Sequence, residues 1–163
     1  MIRSAALALL CALAAPAAWA DTFKSGEITV EDAWARATPK GAPVGVGYLT
    51  IRNDGATPDR LIGGASEFAA VQLHEMSMAD GVMKMREVAG GLEIPAHGAV
   101  TLKPSGYHLM FVGLKQPLAL GEKVRASLKF EHAGDISVLF AVRPIGATSA
   151  GETSKDGMKG MKM

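Results

Sequence analysis

LHEMSMADGVMKMREV, residues 73–88, is the stretch that decides how this chain folds. At its centre Asp80-Gly81 is a dipeptide favoured in two-residue primed turns, and the residues on either side alternate in character. The reading is a β-hairpin that pairs Ala79 with Val82, Met78 with Met83, Ser77 with Lys84, Met76 with Met85 and Glu75 with Arg86. Side chains alternate faces along a strand. His74, Met76, Met78, Met83 and Met85 therefore share one face, while Glu75 and Arg86 form a cross-strand pair on the other. His74 and Met85 become diagonal neighbours, roughly 7–8 Å apart at the backbone.

Outward from this hairpin the chain repeats the same grammar. Short alternating segments predict strands at Ile28–Arg36, Val46–Arg52, Asp59–Ala65, Ala70–Met76, Val82–Val88, Val100–Leu102, Tyr107–Val112, Lys123–Glu131 and Ile136–Pro144. Breakers separate them: Pro39 to Pro43, Asn53-Asp54-Gly55, Gly90-Gly91, Pro104-Ser105-Gly106 and Ala133-Gly134-Asp135. Regularly spaced short strands with turn signals indicate an all-β, mainly antiparallel sandwich or barrel. Outside the first twenty residues no window carries a 3.6-residue apolar stripe, so little helix is expected.

Residues 1–20 read as a secretory signal, with Arg3 near the start, an apolar run from Ala5 to Ala15 and the small-x-small pattern Ala18-Trp19-Ala20. Cleavage is expected after Ala20. Polar residues begin at Asp21 and no stop-transfer segment follows, so stable membrane insertion is not expected. Cys11 is the sole cysteine, and Leu10 stands before it where a lipid-attachment site wants a small residue. The folded unit is then residues 21–147, followed by a flexible Gly-, Ser-, Lys- and Met-rich tail over 148–163. Without Arg3 the chain balances sixteen basic against sixteen acidic residues. A neutral chain with no basic stripe argues against nucleic acid as partner. A mature chain without cysteine excludes disulfides, thiolate zinc sites, cysteine nucleophiles and blue-copper centres.

The methionines are not distributed as core filler. Met76, Met78, Met83 and Met85 lie around His74, Met110 follows His108 by two, and Met158, Met161 and Met163 end the chain. His108 and Met110 project to one side of their strand, while Tyr107, Leu109 and Phe111 project to the other and read as core. Two imidazoles and at least two thioethers on one surface suit a soft d¹⁰ ion, above all Cu(I). Thioether sulfur also resists the oxidation that ties up thiols outside the cytosol.

At these residues the sequence resembles the periplasmic copper chaperones of the PCuAC family, whose pattern is H-x10-M-x21-to-22-H-x-M. Here ten residues separate His74 from Met85, and twenty-two separate Met85 from His108-Leu109-Met110. LHEMSMADGVMKMREV and GYHLMFVGL are similar to the family's two signature stretches, and EDAWARATP, GVGYLTIRN and VRASLKFEHAGDISVLFAVRPI agree around them. The resemblance implies a cupredoxin-like Greek-key β-barrel that holds one Cu(I) through His74, Met85, His108 and Met110. It also implies a role in the periplasm, passing copper toward the CuA centre of cytochrome oxidase, often beside a Sco-type thiol protein. Met76 stands outside the four-residue set and is an auxiliary candidate. Some family members carry a His- and Met-rich extension that takes Cu(II); this tail has no histidine, and Met158, Met161 and Met163 are auxiliary candidates for weak Cu(I) collection, the alternative being a plain solubilising tail.

The remaining candidates read as structural. His97 and His132 fall in turns, with a weaker Cu(II) site the alternative at His132. Trp34 is expected in the core, and Asp54, Asp59 and Asp135 are turn formers. Gly45 and Gly47 precede no helix and form no phosphate loop. No general base, nucleophile or open hydrolytic site is evident, so the chain reads as a carrier and not an enzyme. The rival readings are a secreted adhesion or structural sandwich and a general copper storage or resistance protein.

Overall fold

The computed structural model describes residues 21–152, which form an all-β, mainly antiparallel fold. The strands are β1 (Phe23–Ser25), β2 (Ile28–Arg36), β3 (Val44–Asn53), β4 (Asp59–Ala65), β5 (Ala70–Ala79), β6 (Val82–Glu87), β7 (Leu92–Ile94), β8 (Gly98–Leu102), β9 (Tyr107–Val112), β10 (Lys123–Phe130) and β11 (Gly134–Arg143). The wall runs β2-β11-β10-β4-β5-β9-β3 and returns to β2, closing a barrel. Only the β2–β11 pair is parallel. Links from β3 to β4 and from β9 to β10 join strands that are not neighbours in the wall, the Greek-key element of the topology. β1, β6, β7 and β8 are added to the wall beside β2, β5, β4 and β3.

Alternation explains the core. Leu49 and Ile51 from β3, Leu109 and Phe111 from β9, Leu128 and Phe130 from β10, and Val138 and Phe140 from β11 all point inward and are buried. Phe111 sits at the centre, edge-on to Phe140 at 5.5 Å and tilted against Phe68 at 5.4 Å. Gly47 makes room for it, since a Cβ there would stand 2.8 Å from the Phe111 ring. That close approach is why β3 carries glycine in a strand interior.

Nine strands fall where the alternation predicts them, three with the expected bounds and six with ends shifted by one to three residues. Two were not expected, Phe23–Ser25 and Leu92–Ile94. Each is three residues long, too short to show a period, and forms because β2 and β4 offer an edge. Ala70–Met76 in fact continues to Ala79, as the paired hairpin requires.

Asp59 does more than the turn formation expected of it, and Trp34 is buried as expected but in a cluster of its own. Asp59 opens β4 and is buried, and its carboxylate accepts the backbone N–H groups of Arg60, His132 and Ala133. It thereby pins the distant turn between β10 and β11. Burial alone would push its carboxyl up, but these three donors together hold it below the ordinary aspartate value. Trp34 is buried, but outside the main core. A bulge between Glu31 and Trp34, with Asp32 at φ 53°, resets the strand's alternation. Trp34 then stacks on Tyr48 at 4.5 Å in a small outer cluster with Ala147. Arg36 completes this cluster, donating from Nε to the Ala147 carbonyl at 2.9 Å and lying 5.6 Å from the Tyr48 ring centre. The chain is therefore held against the barrel at Ala147, and Thr148 and Glu152 close a further small turn. Residues 1–20, Cys11 among them, and Met158, Met161 and Met163 lie outside the described residues.

Candidate metal centre

β5 runs between β6 and β9, and the side chains that its register gathers share the outer face of the barrel. On the β6 side His74 pairs with Glu87, Met76 with Met85 and Met78 with Met83. On the β9 side His74 pairs directly with His108, and Gln72 with Met110. Paired residues share a face. The two imidazoles therefore stand side by side, with ring centres 5.9 Å apart. Met110 and Met85 are both diagonal neighbours of His74, one level with Gln72 and the other level with Met76. His74 is thus the hub of the four, and the two thioethers approach from opposite ends of the strand. A methionine's three rotatable side-chain bonds let its sulfur fold back toward a common centre.

The four differ sharply in exposure. His108 is 5% exposed and Met110 8%, because β9 lies within the barrel wall between β5 and β3. Met85 is 51% exposed, on a strand whose every residue is exposed. His74 is half-buried between them. The donors expected on one surface are therefore divided: one half is embedded and the other projects into solvent.

The proton arrangement favours metal binding. His108 Nδ1–H donates to the Gly106 carbonyl at 3.1 Å, which leaves the Nε2 lone pair free. Burial pushes the His108 imidazole below its ordinary value and the adjacent His74 pushes the same way, against the Gly106 bond, so the ring is neutral at pH 7. His74 Nε2–H donates to Gln72 Oε1 at 3.2 Å. Its Nδ1 is buried and has no hydrogen-bond partner. A buried lone pair left without a donor is costly, and a metal ion would satisfy it. Among the described residues no three His, Cys, Asp or Glu side chains gather as a hard-ligand site. The donors on offer are imidazole nitrogen and thioether sulfur.

The "Putative lipoprotein LpqE-like" family matches residues 28–142, which take in the whole barrel wall. The chain belongs to this LpqE-like, PCuAC-type family. Its barrel is similar to the apo PCuAC domain of PmoF2, with TM-score 0.65 and 26% identity over 79% of this chain and 99% of that one. The copper-bound PCuAC domain from PmoF2 is similar at TM-score 0.63 and 27% identity, covering 76% of this chain and 98% of the other. The solution structure of CuI-DR1885 from Deinococcus radiodurans is 32% identical, with TM-score 0.57, covering 71% of this chain and 77% of that one. A relative from Leifsonia xyli subsp. xyli, "Putative lipoprotein Lxx21020", is 32% identical over 135 residues, which is 82% of this chain and 80% of the relative. The fold is accordingly a cupredoxin-like β-sandwich closed into a barrel.

Within this LpqE-like chain the other sequence candidates are dispersed. His97 is exposed at a turn with φ 50° and donates its backbone N–H to Gly55. His132 is exposed in the β10–β11 turn, where its backbone binds Asp59. Neither approaches the His74–His108 pair in register. Three residues were not singled out from sequence: Gln72 and Gly106, which fix the two imidazoles, and Glu87, which faces His74 across β6. Gln72 could have been found as the next residue outward in the alternation Gln72, His74, Met76. Gly106 gave no signal, because its role depends on its carbonyl and on no side chain.

Proposed function

We propose that this chain is a secreted carrier that holds one Cu(I) through His74, Met85, His108 and Met110 and passes it to an apo copper enzyme. The acceptor on this reading is the CuA centre of cytochrome oxidase, with a Sco-type thiol protein as a second partner. What carries the proposal is the donor set itself: two neighbouring imidazoles, each anchored through one nitrogen, and two thioethers diagonal to His74. All four donors are uncharged when they bind and the two thioethers are soft, which selects Cu(I) over Cu(II) and over hard divalent ions. Copper is cargo here, and the chain is read as its carrier. Release proceeds by ligand exchange, with an incoming thiolate displacing the exposed Met85 first and the embedded His108 and Met110 last.

Copper-bound and CuI forms of similar proteins support this reading. The family and relative descriptions support an envelope location, for which the periplasm is the proposal. Among the described residues no helix is long and apolar enough to cross a membrane. A mature protein beginning at Asp21 is expected by mass spectrometry, and a lipid-modified chain beginning at Cys11 would reverse that part. The decisive test is anaerobic Cu(I) titration of the mature chain. One tightly held equivalent is expected, weakened in His108→Ala and in Met110→Ala, with sulfur neighbours in its X-ray absorption spectrum. Binding undiminished in both variants rejects the site. Transfer to an apo CuA domain, with and without a thiol partner, tests the acceptor.

A further inference from the structure

The β5–β6 hairpin carries more sulfur than the four-donor centre uses. Met78 and Met83 face each other directly across the ladder, on the same face as His74 and one step beyond the Met76–Met85 pair. They sit next to the Asp80-Gly81 turn, the outermost point of the hairpin. Neither is core: Met78 is 65% exposed and Met83 42%. The opposite face of the same strand is no better covered, since Val82, Lys84 and Arg86 are exposed as well. Packing therefore gives no reason for methionine here, and exposed thioalkyl groups gain nothing from burial.

We propose that Met78 and Met83 form a second, weaker soft-metal site, an all-thioether capture point for Cu(I) at the hairpin tip. Directly opposed residues have Cβ atoms about 4.5–5.5 Å apart, within reach for two sulfurs to grip one ion. Met76, half-buried on the strand between Met78 and His74, is the stepping stone inward. The ion passes down the face by exchange: bonds to Met78 and Met83 break as bonds to the His74 and His108 nitrogens form. Copper stays cuprous throughout. The site borrows from the four-donor reading only the identity of the metal.

The experiment uses the full mature chain, with methionine methyls labelled with ¹³C, titrated anaerobically with Cu(I) past one equivalent. The first equivalent should shift the Met85 and Met110 methyls, and the second those of Met78 and Met83. Met78→Leu/Met83→Leu, which preserves side-chain volume, should lose the second equivalent, slow the loading of the first from dilute Cu(I), and leave the first equivalent's affinity unchanged. His108→Ala should weaken the first site yet keep the Met78 and Met83 response. The inference is overturned if those two methyls stay still through two equivalents, or if the second equivalent moves only Met158, Met161 and Met163. A response at Met78 and Met83 with no strong binding at Met85 and Met110 would instead sink the four-donor reading and leave the hairpin site standing.

Discussion

His74 pairs with His108, lies diagonal to Met85 and Met110, and holds its tautomer through Gln72. The geometry makes Gln72 a positioning residue that touches no metal. Gln72→Ala should weaken Cu(I) binding about tenfold while the fold stays intact, in the range usual for loss of a ligand's hydrogen-bond partner. Competition with a chromophoric Cu(I) chelator reads this directly, and unchanged affinity would remove Gln72 from the site. A second residue-scale expectation concerns Asp59, whose carboxylate serves three backbone donors. Its folded pKa is depressed, so its contribution is fully present above the ordinary aspartate value and is lost as pH falls through the folded one. Asp59→Asn should cost about 1–3 kcal/mol at neutral pH in denaturant unfolding. The gap between variant and parent should narrow on acidification, and a gap that widens in acid would contradict this sign.

Among the elements, the β5–β6 hairpin is set by its turn. Asp80 at φ 54° and Gly81 at φ 75° are both left-handed, as a primed turn demands. Gly81→Val should cost about 1–2 kcal/mol locally. Because β6 covers no core, that cost should appear as weakened Cu(I) binding through Met85, with little change in the barrel's melting temperature. A cooperative loss of the whole fold would show that the hairpin supports the barrel after all. The hairpin's register could be read from sequence because Asp-Gly fixes the turn and a period of two does the rest. The meeting of His74 with His108 could be reached only through the resemblance. Nothing in local pattern dictates that β9 lies beside β5, since that pairing follows from how the wall closes. Burial of His108 and Met110 was missed for the same cause; burial of Trp34 was legible, but not which cluster it joins, because a bulge at Asp32 breaks the alternation.

As a whole molecule, the barrel should hold together without metal, because its main core cluster is hydrophobic and includes none of the four candidate donors. Removing copper with a chelator should leave the far-ultraviolet circular dichroism unchanged, in contrast to small domains that fold only around their metal. Adding Cu(I) should raise the melting temperature, by about 2.7 kcal/mol of stability at a hundredfold excess over the dissociation constant. A chain that unfolds on chelation would overturn this. Trp34 is the sole tryptophan beyond residue 20 and stacks on Tyr48. The β3–β9 ladder sets Val46 opposite Met110, and Val46 packs against the Trp34–Tyr48 cluster. Trp34 emission should therefore report loading of the proposed site.

The contrast between an embedded β9 and a jutting β6 has a steric corollary. Wall and tongue make unequal jaws, one packed into the barrel and one standing in solvent, so under the proposed function a visitor would meet the outer one first. On that reading shape alone would orient a partner, and two copies meeting jaw to jaw would compete for the same approach.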